Sequence, residues 1–214
     1  MEKVRILCFW DSYTWWYIPG TDHERFSENV RFPKLLQKLL GENFEIIEEW
    51  LNSRTLVSED KRIGKEGRNG STYLVPCLDS HDPLDLVILM LGTNELKYEY
   101  WNSAEQIGKI FEDYFVKVTL KRKSQFKNKH PRVLILSLPI INEKTEYASK
   151  RYTWWAEKWK QLNNIYKEIA ERNKCDYIDT SWLIIGSDGV HLTKEGQIKL
   201  AEMLYEKITK TIFS

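Results

Sequence analysis

Leu86-Val87-Ile88-Leu89-Met90-Leu91, running straight into Gly92-Thr93-Asn94-Glu95, is the stretch that settles the architecture. An apolar run with no polar interruption suits a strand covered on both faces, as in a parallel sheet flanked by helices. Gly92 permits a sharp exit from that strand, and Asn94 offers a side-chain amide that donates without titrating. Working outward, further strand-length apolar runs span Val4 to Phe9, Phe44 to Glu49, Val133 to Leu138 and Cys175 to Ile178. Between them lie stretches of helical period. Pro33 can open one, with Leu35, Leu36, Leu39 and Leu40 on a face and Gly41 ending it. Ser103 with Gln106 fits a capping box, ahead of a stripe of Ile107, Ile110, Phe111, Tyr114, Phe115 and Val118. A third stripe is Leu162, Ile165, Tyr166 and Ile169. A fourth, capped by Thr193, is Ile198, Ala201, Leu204, Tyr205 and Ile208. The connection from Leu51 to Pro83 is the least patterned: Gly64, Gly67 and Gly70 suggest an excursion, and Ser71 to His81 a short helix despite Pro76.

Strand and helix alternating in this way predict an α/β fold with a mostly parallel sheet and right-handed crossovers. Ligands then bind outside the carboxyl ends of the strands. Ser12, Ser53, Asn94, Pro139 and the run Asp188-Gly189-Val190-His191 each follow a strand closely, so all fall on one rim. With no repeat or linker to divide it, the sequence reads as a single domain over 1–214.

Lys and Arg number 32 against 31 Asp and Glu, a formal net charge of +1. That balance gives no long-range pull toward nucleic acid or an anionic membrane, and a small neutral substrate fits it better. The densest basic run, Lys121-Arg122-Lys123 with Lys127, Lys129 and His130 behind it, falls where a helix should end, so it reads as a solvated helix end rather than a phosphate patch. Cys8, Cys77 and Cys175 are odd in number and lack C-x-x-C spacing, which suggests reduced core thiols and a cytoplasmic setting. The first strand begins by Val4, too early for a secretory leader, and no apolar run approaches the ~20 residues of a membrane span. Asn69-Gly70-Ser71 matches a glycosylation acceptor that is idle without export.

The chemistry concentrates at the two ends of the chain. Ser12 lies in Phe9-Trp10-Asp11-Ser12-Tyr13-Thr14, just past the first strand. Of four histidines, His23, His81, His130 and His191, it is His191 that has a carboxylate, Asp188, poised on the same turn of a loop that follows the last strand. A serine hydroxyl becomes nucleophilic when an imidazole takes its proton and a carboxylate orients that imidazole. Asn94 could add an oxyanion donor, although alone it would read as an Asx-turn residue. Asp11, next to Ser12, points elsewhere and reads as an acceptor fixing the turn. Arg54 reads as a loop brace rather than a substrate clamp.

F-W-D-S-Y-T, L-G-T-N-E and D-G-V-H-L-T resemble blocks of the SGNH, or GDSL, hydrolase superfamily, and E-W-L-N-S-R-T resembles its second block. The ordered segments R-I-L-C-F, D-S-x-T-W, V-R-F-P, I-I-E-E, S-R-T and H-x-P-L-D-L-V-I-L-M-L-G-T-N are similar to the arylesterase and acyltransferase-like branch, from Val4 to the last helix. The resemblance implies a three-layer α/β/α sandwich on a five-stranded parallel sheet in the flavodoxin-like order 2-1-3-4-5. It implies Ser12 as nucleophile, His191 as base and then acid, and Asp188 as orienting carboxylate. The oxyanion donors would be the backbone N–H groups of Ser12 and Ser53 and the side chain of Asn94. It further implies an acyl-enzyme route on small esters, with transfer to alcohols in some members, and no metal or organic cofactor. Members of this branch often oligomerise, so the resemblance allows a homo-oligomer.

The chain departs from the pattern at Trp10, Trp16 and Trp50, where relatives carry glycine. Trp154 and Trp155 fall after the fourth strand, at another edge of the same rim. Nine tryptophans are many for a chain of this length. They read either as core filler or as an aromatic wall of the acyl pocket formed by Trp10, Trp16, Trp50, Trp154 and Trp155. Two alternatives to an esterase follow. One is a diverged or redesigned scaffold whose Trp-lined pocket holds an apolar ligand with little turnover. The other, a flavodoxin-like binder of flavin or phosphate, is disfavoured by the lack of a phosphate-cradling first loop.

Overall fold

The structure, a computed structural model, describes residues 2–15, 17–21, 24–152 and 156–213. Five strands, β1 (Val4–Trp10), β2 (Phe44–Trp50), β3 (Leu86–Met90), β4 (Arg132–Leu136) and β5 (Asp176–Ile178), form one parallel sheet in the order β2-β1-β3-β4-β5. This is the order expected from the resemblance. β3 lies centrally with every residue buried, which is why its sequence carries no alternation; β2, at an edge, is half-buried throughout and mixes Glu with Ile.

Helices cover both faces. α1 (Ser12–Trp15) is a single turn, followed by α2 (Phe32–Leu40) and α3 (Gly70–Ser80). α4 (Ala104–Phe111) continues through a π turn, Glu112–Val116, into α5 (Lys117–Lys121). α6 (Glu146–Ser149), α7 (Ala156–Arg172) and α8 (Lys194–Lys207) complete the set. α2 packs on α8, and α4 on α7. The caps read from sequence are present: the Ser103–Gln106 box, Thr193 accepting from Gly196 N, and Gly41 at φ 77° after α2. Asn69 caps α3 by accepting from Ser71 N, so the apparent glycosylation signal is a helix start.

Two helical stripes differ from expectation. The π turn inserts an extra residue and rotates the face that follows, so Tyr114 is exposed while Glu112, Phe115, Val116 and Thr119 turn inward. In α8, Ile198 is exposed and Gln197 is buried instead. The Gln197 carboxamide accepts from Phe32 N at 3.2 Å and donates to Tyr13 O at 3.1 Å, tying α8 to α2 and to the turn after β1. Half of the basic run at the end of α5 is engaged in ion pairs, Arg122 with Asp79 and both Lys127 and Lys129 with Asp85. Cys8 and Cys77 are buried, Cys175 is half-buried just before β5, and all three are free. Among the described residues no helix is long and apolar enough to cross a membrane.

Candidate active site

β1 ends at Trp10, and Asp11 turns the chain into α1. The Asp11 carboxylate accepts from Tyr13 N at 3.1 Å, the turn-fixing role expected of it. Ser12 heads α1, so its N–H is among the first-turn groups that no helical carbonyl satisfies. Across the molecule, the loop between β5 and α8 carries Asp188 and His191 to the same rim. Gly189 sits at φ 76°, and a Cβ there would lie 2.5 Å from both Asn142 O and Thr145 Oγ1, so only glycine fits. Thr145 Oγ1 donates to Asp188 O at 2.7 Å and Asn142 N to Gly189 O at 2.8 Å, bracing this loop against the segment after β4. Nothing in the sequence singled out either brace.

The structure brings Ser12, His191 and Asp188 into one chain of contacts. Ser12 Oγ is 3.0 Å from His191 Nε2, and His191 Nδ1 is 2.6 Å from Asp188 Oδ2. The other Asp188 oxygen accepts from Val190 N at 2.9 Å and His191 N at 3.0 Å. Burial opposes ionisation of Asp188. The hydrogen bond and charge of His191, with the two backbone donors, outweigh it and hold the carboxyl below its usual range. Ser12 is 5% exposed and His191 4%, so the hydroxyl and imidazole face each other at the bottom of a groove.

Three tyrosines surround the imidazole. The Tyr17 ring lies 4.6 Å from it between centroids, and Tyr13 and Tyr147 each lie 6.0 Å away. The aromatic setting expected of tryptophans is thus supplied by tyrosines in the described residues. Trp10 corrects the expectation most clearly. It is fully buried in the core, stacked on Phe32 at 4.5 Å, with its indole N–H donating to Ile88 O at 3.1 Å. The register that pairs Trp10 with Trp50 and Met90 turns its ring under α2 and away from the rim. Trp50 is half-buried beneath the Arg25 guanidinium, 4.4 Å from the ring, and is not among the described residues lining the groove beside His191. Trp16, Trp154 and Trp155 lie outside the described residues.

The remaining site residues sit on the loops after β2 and β3. Ser53 has φ 65°, a strained value for a residue with a side chain, and its backbone N–H has no partner within the described protein. Its hydroxyl donates to Asn52 Oδ1 and accepts from Arg62 Nη2. Gly92, at φ 123°, makes the turn after β3; a Cβ there would strike the Tyr166 hydroxyl, which donates to Leu91 O. Asn94 is buried beside Ser12, but its amide nitrogen donates to Asp11 Oδ2 at 3.2 Å and Arg54 O at 3.0 Å. Both hydrogens are therefore engaged, and Asn94 ties three loops together. Asp11 is pushed up to about 6, first by burial, against the Tyr13 N–H and the charges of His191, Arg54 and Lys97. Arg54 is the expected brace: its guanidinium donates to Trp10 O and Glu49 O and lies 4.1 Å over the Phe9 ring.

Sequence reasoning missed Glu95. Its buried carboxylate accepts from the backbone N–H groups of Leu56, Val57 and Ser58 at 2.7–3.0 Å and from Ser58 Oγ at 2.6 Å. One side chain thereby gathers the long loop that carries Ser53. The only hint of it in the sequence is an acid directly after Asn94 in a buried turn.

A serine, an imidazole and a carboxylate aligned in a parallel α/β fold, at the carboxyl ends of its strands, define a hydrolase of the serine-esterase class. A family model, the GDSL-like lipase/acylhydrolase family, matches residues 8–198, and the chain belongs to that family. It is a carboxylic ester hydrolase of SGNH type. Similar solved structures include Est24, a carbohydrate acetylesterase from Sinorhizobium meliloti, at 31% identity, TM-score 0.89, and coverage of 97% of this chain and 99% of that one. The M. smegmatis aryl esterase is 32% identical with TM-score 0.88 and the same 97% and 99% coverage. A further carbohydrate acetylesterase family member from Sinorhizobium meliloti is 29% identical with TM-score 0.90, covering 99% of this chain and 100% of that one. No curated protein matches the chain.

Proposed function

We propose that the protein hydrolyses esters of short carboxylic acids through an acyl-enzyme on Ser12, and that the same intermediate can pass its acyl group to an alcohol. The observation that carries this is the continuous contact from Ser12 Oγ through the His191 imidazole to Asp188, at 3.0 and 2.6 Å. Ser12 Oγ attacks the ester carbonyl as His191 Nε2 takes its proton. The tetrahedral adduct collapses as the imidazolium returns that proton to the departing alkoxide, leaving acyl-Ser12 and a free alcohol. A water, or an acceptor alcohol, then attacks the acyl carbon and gives its proton to Nε2, which passes it back to Ser12. Asp188 holds Nδ1–H and stabilises the imidazolium in both halves.

The Ser53 N–H, unpartnered and aimed by a strained backbone, and the Ser12 N–H are the readiest oxyanion donors. Asn94 joins them by releasing one of its two present acceptors. Tight enclosure of Ser12 and Ser53 favours acetyl or similarly small acyl groups, in keeping with the acetylesterases and aryl esterase this chain resembles. The Trp-lined binding pocket of the alternative reading loses Trp10 to the core. Three free thiols support a reducing setting such as the cytoplasm.

The test is stoichiometric labelling by a fluorophosphonate together with turnover of p-nitrophenyl esters from acetate to octanoate. Wild type should label once per chain and prefer acetate, and Ser12→Ala should do neither. Labelling that persists in Ser12→Ala overturns the assignment.

A further inference from the structure

The near-zero net charge of the whole chain favours a neutral substrate, but the groove beside the triad is not balanced. One cleft, of about 330 Å³, is lined by Ser53, Arg62, Lys65, Tyr147, Arg151 and His191, with Tyr17 and Asn52. Arg62 and Arg151 also line an adjoining cleft of about 230 Å³ that ends on Lys97. We propose that these adjoining clefts, which share Arg62 and Arg151 as lining, receive the alcohol portion of the ester, and that the alcohol carries an anionic group, a carboxylate or a phosphate, held by Lys97, Arg62 and Arg151. The proposal rests on the esterase reading above and assigns its substrate class.

Lys97 is the decisive residue. It is only 6% exposed, and among the described residues its ammonium forms no ion pair and no hydrogen bond, although Glu99, Asp60 and Asp11 are near enough for their charges to act on it. An enclosed cation that lines a cleft and has no direct ion pair is costly to keep, and such groups concentrate at functional sites. Arg151 likewise has no ion-pair partner among the described residues; its guanidinium rests 4.0 Å over the Tyr147 ring and donates to Tyr147 O, leaving further N–H groups toward the groove. Arg62 is held by Asp60, and Lys150 at the rim by Glu146. Glu99 is the one carboxylate that lines the inner cleft, against Arg62, Lys97, Lys150 and Arg151. Burial and the neighbouring Arg62 draw Lys97 down to about 8, so it remains largely protonated at neutral pH.

The alcohol side follows from the chemistry of His191. The imidazolium must protonate the departing oxygen, so the leaving group lies on the His191 side of Ser12, and the cationic cleft opens on that side. Guanidinium groups and an ammonium lining one cleft suit a carboxylate or phosphate, which both accept charge-assisted hydrogen bonds.

The experiment compares kcat/KM for three acetyl esters, each divided by its hydroxide-catalysed rate: 4-acetoxybenzoate, 4-acetoxyphenyl phosphate, and neutral methyl 4-acetoxybenzoate. Wild type should favour at least one anion over the neutral ester by about tenfold, and the ratio should fall as salt is raised. Lys97→Met, which removes the charge without leaving a buried polar group, should cut that ratio toward one. Arg151→Gln, at a half-buried position, provides a second variant should the first fold poorly. Ratios near one in wild type, with the neutral ester turned over, overturn the anion site and leave the esterase standing. A wild-type preference untouched by either variant and by salt overturns it as well. Failure to turn over any of the three esters instead breaks the reading on which the proposal rests.

Discussion

Ser12 divides two polar regions that use the same residue types to opposite ends. On its inner side, Asp11, Arg54, Asn94 and Glu95 are buried and bonded to backbone groups of β1, β2 and the loops that follow those two strands. On its outer side, Lys97 and Arg151 form no direct ion pair among the described residues, with Glu99 the one carboxylate lining their cleft. The inner network holds loops in place, because each charge is answered within the protein. The outer one leaves charge to be answered from outside. A buried ionisable residue is therefore informative through what it meets: Glu95 is as enclosed as Lys97, and only the second points to a ligand.

The largest expected effect breaks the link between the two regions. Ser12→Ala and His191→Ala should each lower kcat by about 10⁴- to 10⁶-fold, with the double variant no worse than either single, because the pair acts as one unit. Losses that multiply in the double variant would show that the two do not share a mechanism. Asp188→Asn should keep the fold and lose about 10⁴-fold by favouring the wrong imidazole tautomer. Wild-type turnover in that variant would remove Asp188 from the chemistry.

A second pair of changes sharpens the contrast between core and groove. Trp10→Ala should destabilise by about 3–5 kcal/mol, as expected when a buried ring leaves a cavity, while the acetate-to-octanoate profile keeps its shape. Tyr147→Ala, at a half-buried ring beside His191, should cost less stability and shift KM for aryl esters. Chemical denaturation and the ester series measure both. A changed length profile in Trp10→Ala would return that indole to the acyl pocket.

These differences also explain what could be read in the sequence. β3, the caps of α2, α4 and α8, and the Asp188–His191 turn are local patterns, and local patterns survive in a linear text. Ser12 and His191 sit near opposite ends, yet the rule that strand ends share one rim placed them together. Trp10 was misjudged because two residues before Ser12 in sequence is not beside it in space: the pleat sends alternate side chains to opposite faces, and the ring goes under α2. Tyr114 and Ile198 were misplaced because a helical period was extended unbroken through a π turn in one case and through a buried glutamine tie in the other. Lys97, Arg62 and Arg151 come from three separate loops, so no spacing could have grouped them. A whole-chain charge count conceals them further, since ion pairs elsewhere cancel the total.

The smallest expected effect is the most selective. Lys97, drawn to about 8 by burial and by Arg62, loses its proton as pH rises through that value. The preference for an anionic over a neutral acetyl ester should accordingly be full below pH 7 and decline several-fold toward pH 9.5. Taking the ratio of the two esters removes every ionisation they share. The other charges around Lys97 are Arg62, Glu99, Asp60, Arg151 and Asp11; Arg62 is held above the usual guanidinium value and Asp60 below the usual carboxylate value by their mutual hydrogen bonds, and Asp11, at about 6, is already charged near pH 8. Lys65, on the outer cleft, is also drawn below the ordinary lysine value, first by burial and then by Arg68 and Arg62. Lys97→Met separates the two lysines. If Lys97 is the titrating group, its variant should show a low and pH-independent ratio, whereas a decline that persists there would move the effect to Lys65 at the outer end of the groove.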